Sequence, residues 1–213
     1  MKFEHVPSQA SQAATHLWLM LPGAYMKPAD FIRAGFADAV HERGLPHDIA
    51  LLDATISEVA DGSALAFLQE YVRAVPADPR LRVCVLGISL GGQLAMHCAA
   101  QATPRIASVL VMAPYLGPRD LLAQVGATGR MAEWAPQPSA VSDTEREIWR
   151  WLQGCAVQEP PLYLGYGRDD RFASAHALMA QALPEDRIDT VPGGHDWPVW
   201  AQLWNRHLDL CHV

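Results

Sequence analysis

Short, almost unbroken apolar runs recur along this chain, each followed by a stretch with helical spacing. Leu17–Leu21, Asp48–Leu52, Leu81–Leu86, Ala107–Ala113, Leu162–Tyr166 and Arg187–Val191 read as strands. Between or after them, Phe31–Arg43, Ala64–Val75, Gly91–Gln101, about Ser174–Leu183 and Trp197–Leu210 read as helices. A strand with water on one face alternates polar and apolar residues. A strand covered on both faces stays apolar throughout, and helical crossovers then make its neighbours parallel. The expected class is α/β, with a mostly parallel central sheet and helices on both faces. With 213 residues, half of them hydrophobic, the chain is long enough for one domain with a sizeable core, residues 1–213. The rhythm fails between Tyr115 and Glu159, where no strand is evident. Gly126, Gly129, the stretch Ala135-Pro136-Gln137-Pro138 and a helix capped by Ser142 or Asp143 and running through Trp151 suggest a helical insertion at about 116–159. It is expected to lie over one end of the sheet like a cap or lid.

Charge narrows the classes of partner. Sixteen basic and 23 acidic residues give a net charge of −7, without runs of one sign. Nucleic acids and anionic membranes both need a basic face, so neither is expected as a partner. No apolar segment reaches the ~18 residues of a membrane span, and the first residues lack the apolar core of a signal peptide. Cys84, Cys98, Cys155 and Cys211 form no C-x-x-C pair and read as free thiols, which points to a reducing, cytoplasmic setting. The oligomeric state stays open.

One motif carries chemistry. Gly87-Ile88-Ser89-Leu90-Gly91 is a G-x-S-x-G set between the apolar strand Arg82–Leu86 and an Ala-rich helix. Alone the pattern is weak, but the strand–turn–helix setting is what a nucleophile elbow requires. The tight turn holds the serine in a strained conformation with its hydroxyl above the sheet. The glycines on either side relieve the crowding of strand against helix, and the helix N-terminus favours developing negative charge at Ser89.

With this motif in its setting, the chain resembles the α/β-hydrolase superfamily from His16 to the C-terminal helix. The resemblance implies a Ser, Asp, His triad in that order. After the strand at Leu162–Tyr166, Gly167-Arg168-Asp169-Asp170 resembles the family's G-x-x-D loop and points to Asp170 as the acid, with Asp169 as the alternative. After Arg187–Val191, Pro192-Gly193-Gly194-His195 resembles the loop that delivers the base, His195. His16, His41, His47, His97 and His176 lack such a setting and read as structural. His207, Cys211 and His212 lack a second ligand pair, so no metal is expected, and no cofactor.

Leu19-Met20-Leu21-Pro22-Gly23-Ala24-Tyr25 resembles the family's oxyanion loop, with Pro22 where a histidine is usual. The implied oxyanion donors are the N–H groups of Leu90 and Ala24, with Tyr25 as an alternative to Ala24. Tyr25, Met26, Tyr115 and Trp134 are the candidate pocket residues. Trp197, Trp200 and Trp204 fall at i, i+3 and i+7, a packing stripe. The expected function is hydrolysis of a carboxylic ester of a small or medium acyl group through an acyl-enzyme. Alternatives are an acyl-thioesterase with the same triad, or a non-catalytic ligand-binding or receptor protein on the same fold. No basic cluster marks a coenzyme A phosphate site, and the insertion carries too many charges for an interfacial lipase lid. The implied partner is a small-molecule ester or thioester.

Overall fold

The computed structural model describes residues 1–101, 105–127, 133–135, 144–154 and 159–210. Gly129, Met131, Pro136, Pro138, Ser142, Asp143, Cys155, Cys211 and His212 lie outside the described residues. Seven strands form one sheet in the order β1-β3-β2-β4-β5-β6-β7. They are β1 (Lys2–Val6), β2 (His16–Leu21), β3 (His47–Asp53), β4 (Arg82–Ile88), β5 (Ile106–Met112), β6 (Leu162–Gly167) and β7 (Ile188–Val191). All neighbours pair in parallel except β1, which runs antiparallel to β3 with Lys2 opposite Asp53 and Val6 opposite Ile49.

The parallel strands are apolar throughout because helices cover both faces. On β2, Leu17, Leu19 and Leu21 join one core while Trp18 and Met20 join the other. The first core also takes α4 (Ser63–Ala74), α5 (Leu90–Ala100), α6 (Arg119–Gly126), α7 (Thr144–Leu152) and α8 (Ala173–Ala180). The second takes α1 (Pro28–Arg33), α2 (Phe36–Glu42) and α9 (Trp197–Leu210). A short α3 (Ile56–Ala60) follows β3, capped by reciprocal bonds between Thr55 and Glu58. Cys84 and Cys98 are buried in the two cores.

The structure corrects three local expectations. The segment Phe31–Arg43 is two helices, because Gly35 adopts φ 80° and turns the chain between α1 and α2. Strand β1 went unpredicted because it is only partly covered: Phe3 packs on the first core and Val6 on the second, with exposed residues between. Phe3 packs on Phe67 and Tyr71 of α4, ring centroids 5.7 and 4.2 Å away, while charged residues face water. Helix α6 was also unpredicted, while α7 falls where a helix through Trp151 was expected. Both helices follow β5. The indole N–H of Trp149 on α7 donates to the carbonyl of Leu116 at 2.9 Å, fixing α7 to the start of that segment.

The C-terminal helix carries a buried histidine. His207 is 8% exposed, among Trp18, Tyr163 and Trp204. Burial pushes its pKa down to about 4, against a smaller upward pull from the Asp189 carboxylate. The folded pKa lies below the unfolded one, so the unfolded chain takes up the proton first. Stability is therefore intact above about pH 6.5 and is lost as pH falls toward 4. At about 1.4 kcal/mol per pK unit, His207 should account for about 3 kcal/mol of loss across that window. Urea unfolding at pH 7.5 and pH 4 should show His207→Phe losing less stability than wild type by roughly that amount.

Candidate active site

The site begins with a backbone collision that only glycine avoids. Where β4 turns into α5, a Cβ on Gly87 would lie 2.2 Å from the carbonyl oxygen of Gly91, and a Cβ on Gly91 would lie 2.2 Å from that of Leu21. Helix α5 thus rests directly on the ends of β4 and β2. Ser89 sits at the apex with φ 53° and ψ −113°, a conformation that costs a serine roughly 1–3 kcal/mol. The surroundings over-determine it. Its N–H donates to Met112 at the end of β5 (3.0 Å), and its carbonyl accepts from Gly92, Gln93 and Tyr115 (3.0, 3.2 and 2.8 Å). Leu90 opens α5, so its N–H belongs to the unpaired first turn.

The turn after β2 comes up against the same serine. A Cβ on Gly23 would lie 3.2 Å from the Ser89 Cβ. Met26 N–H donates to the Gly23 carbonyl at 3.2 Å, and Tyr25 takes φ 63° to complete the turn. The N–H of Gly23 is occupied, donating to the Met26 sulfur at 3.2 Å. Ala24 is exposed at the tip.

The two loops after β6 and β7 are locked to each other. A Cβ on Gly167 would lie 2.2 Å from the Gly193 carbonyl oxygen, and Gly193 takes φ 112°. Asp169 bridges the loops: its N–H donates to Gly193 O, and its Oδ2 accepts from Gly193 N, both at 2.9 Å. That role turns it away from the histidine. Asp170, only 5% exposed, places Oδ2 2.7 Å from His195 Nδ1 while its Oδ1 accepts from the N–H of Phe172 at 2.8 Å. A carboxylate on Nδ1 keeps the proton there and leaves Nε2 as the acceptor. Phe172 and Trp200 meet the imidazole edge-on, with centroids 5.4 and 5.1 Å away.

The candidate pocket residues divide. Tyr115, through its bond to Ser89, stands between two cavities. One, of about 630 Å³, is bordered by Leu90, Gln93, Tyr115, Asp120 and Glu145 among others. The second, of about 210 Å³, is bordered by Tyr115, Leu122 and Phe172. Burial raises the Tyr115 hydroxyl pKa, and the Glu145 and Asp120 carboxylates push the same way. Tyr25 is 91% exposed beside the Ser89 turn, and Met26 is half-buried under it. Trp134 departs from expectation. It is buried in the core with Trp149 and Leu152, its carbonyl accepts from Gln153, and it borders neither cavity. Its apolar area is worth more packed against α7 than exposed at a mouth.

Sequence reading passed over Phe172 and Trp200 as neighbours of His195, and His176, whose Nε2 donates to the Pro114 carbonyl at 3.1 Å. His176 is fully buried; its pKa is lowered by burial, against the Asp170 carboxylate and the Pro114 bond. The tryptophan stripe was the available signal for Trp200, since its middle member faces the imidazole.

Residues 66–210, about two thirds of the chain, match the Esterase family. The chain belongs to that family. This esterase is thus a carboxylic-ester hydrolase on an α/β-hydrolase fold. Its fold is similar to that of S-formylglutathione hydrolase from Staphylococcus aureus, with TM-score 0.64 and 14% identity over 93% of this chain and 81% of that one. It is also similar to fluorophosphonate-binding serine hydrolase F of the same organism, with TM-score 0.65 and 16% identity over 95% and 85%. A third similar structure is monoacylglycerol lipase from Paleococcus ferrophilus, with TM-score 0.62 and 13% identity over 98% and 97%. At such identities the likeness concerns the fold. No curated protein matches the chain in sequence.

The two adjacent aspartates make opposite predictions for the esterase. Asp170→Asn should lower kcat by about 10³–10⁴-fold, because the amide no longer holds the required tautomer. Asp169→Asn keeps an acceptor for Gly193 and should cost less than about tenfold. Steady-state rates on one activated ester, with thermal midpoints as a check on folding, decide between them.

Proposed function

We propose that the esterase works through an acyl-enzyme on Ser89, with His195 as general base and acid and Asp170 as its orienting carboxylate. The observation that carries this reading is the positive-φ serine at the glycine-crowded junction of β4 and α5. Backbone strain of this kind persists where it serves chemistry. The 2.7 Å contact of His195 Nδ1 with the buried Asp170 supplies the base in the right tautomer.

The steps follow. Ser89 Oγ forms a bond to the ester carbonyl carbon as its proton passes to His195 Nε2. The N–H groups of Leu90 and Ala24 donate to the tetrahedral oxyanion. Gly23 N–H is held by the Met26 sulfur, which favours the next amide for this task. Collapse breaks the bond to the leaving alcohol, which takes the proton from His195. A water then gives a proton to His195 and attacks the acyl carbon. The bond to Ser89 breaks, and the proton returns to its oxygen.

The acyl group is small or medium. The cavity of about 630 Å³ beside Leu90 would receive it, with Tyr115 at its entrance and Tyr25 and Met26 on the neighbouring turn. The segment 116–159 acts as a cap within a single domain, since its described part borders both cavities. The same steps cleave a thioester when a thiolate leaves, so an acyl-thioesterase is the second reading. Among the described residues, no helix is long and apolar enough to cross a membrane. The buried thiols of Cys84 and Cys98 fit a cytoplasmic setting.

The test is a chain-length series of p-nitrophenyl esters with the matching acyl thioesters. Short and medium esters should give the highest kcat/KM, and Ser89→Ala should lower it by at least ~10³-fold with the fold intact. A Ser89→Ala enzyme that retains wild-type rates would contradict the assignment.

A further inference from the structure

We infer that the leaving group of the natural substrate carries an anion, a carboxylate or a phosphate, held by Arg119 and Arg171 in the small cavity bordered by Phe172 and Tyr115. The inference rests on the hydrolase reading above and adds the class of alcohol or thiol released.

His195 returns its proton to the leaving atom, so the leaving group lies on the imidazole side of Ser89. The cavity of about 210 Å³ is bordered by neighbours of both reacting residues rather than by Ser89 or His195 themselves. One wall is Phe172, whose ring meets the imidazole at 5.4 Å. Tyr115, whose N–H donates to the Ser89 carbonyl, also borders the cavity. Each aromatic wall is thus tied to one of the two reacting residues.

Two arginines border this cavity, 52 positions apart in sequence, Arg119 and Arg171. Arg33, Arg43, Arg73, Arg80 and Arg206 each have a carboxylate partner. Among the described residues Arg119 and Arg171 have none. Arg171 instead lies with its guanidinium carbon 4.8 Å from the centre of the Phe172 ring, which steadies it at the wall. Other arginines, such as Arg105 and Arg168, also lack a carboxylate but are held by backbone carbonyls; what distinguishes Arg119 and Arg171 is that both border one small cavity that no described carboxylate lines.

The backbone adds the same sign. Arg119 is the first residue of α6, and Phe172 and Ser174 flank the start of α8. Helix α6 therefore opens at this cavity with its first-turn N–H groups and the positive end of its dipole, while the start of α8 is already capped, the Phe172 N–H donating to Asp170 Oδ1 and the Ala173 N–H to the Asp170 carbonyl. The nearby acids are engaged elsewhere. Asp170 is buried against His195, and Asp120 and Glu145 border the larger cavity. The two cavities thus differ in the charge of their lining: the larger carries Asp120 and Glu145 together with Arg146, and the smaller carries Arg119 and Arg171 with no described carboxylate. A planar or apolar linker between Tyr115 and Phe172, ending in an anion at the arginines, fits this cavity.

The experiment uses acetyl esters that form one acetyl-enzyme and differ only in what leaves. These are phenyl acetate, 4-acetoxybenzoate, 4-acetoxyphenyl phosphate and 4-acetoxy-N,N,N-trimethylanilinium. Each kcat/KM is divided by the rate of spontaneous alkaline hydrolysis of that ester. The normalised value should be roughly tenfold or more higher for an anionic ester than for the neutral one, and lowest for the cation. Carboxylate against phosphate then names which anion is taken. The preference should fall toward one in the Arg119→Ala/Arg171→Ala double variant and persist in the double Lys variant. Raising salt from about 20 to about 500 mM should weaken it in wild type, which serves if the alanine variant does not fold. Turnover of all four esters without charge preference, or a preference untouched by the double alanine variant and by salt, overturns the inference alone. No turnover of any ester, with no fluorophosphonate bound at Ser89, overturns the hydrolase reading along with it.

Discussion

At the junction of β4 and α5, backbone meets backbone. Gly87 faces the Gly91 carbonyl, and Gly91 faces that of Leu21, each at a separation no side chain could share. Everything at the site is placed relative to this contact. It brings α5 onto the strand ends, forces Ser89 to positive φ, and sets the first turn of α5 beside the serine. The strain is held by ordinary hydrogen bonds from three directions: Met112 at the end of β5, the first turn of α5, and Tyr115 beyond β5. A cost of roughly 1–3 kcal/mol at one residue is tolerable in a structure with two full hydrophobic cores.

A second backbone contact places the other half of the site. Gly167 against Gly193 fastens the β6 loop to the β7 loop, and Asp169 closes the join with two hydrogen bonds. The adjacent Asp170 then points inward to His195. Two neighbouring carboxylates therefore do separate work, one binding loop to loop and one orienting an imidazole. Around that ring Phe172 and Trp200 form an aromatic frame that limits its rotation.

Much of this was legible in the residues. A strand covered on both faces must be apolar at every position, so β2, β4 and β5 announce themselves. Gly87 and Gly91 mark the elbow because no other residue type fits the crowding on either side of Ser89. The edge strand β1 was not legible, since three of its five residues are exposed and no apolar run remains. Gly35 hid a break inside a periodic pattern, because one glycine within an apolar helix reads as a tolerated exception. Trp134 was assigned to the pocket on size and position, and burial placed it in the core. Arg119 and Arg171 carried no signal at all. Their meeting depends on where α6 and α8 begin in space, which periodicity does not encode.

The fold explains how Ser89, Asp170 and His195 are held, and on the proposed reading the loops after β5 and β6 bear on what the esterase accepts. The central claim is that Ser89 is the nucleophile. Intact-mass and peptide mapping after reaction with a fluorophosphonate tests it most directly. The account predicts one adduct per chain, on the peptide containing Gly87–Gly91, and none in Ser89→Ala. An adduct on another residue, or one that survives in folded Ser89→Ala, would contradict it.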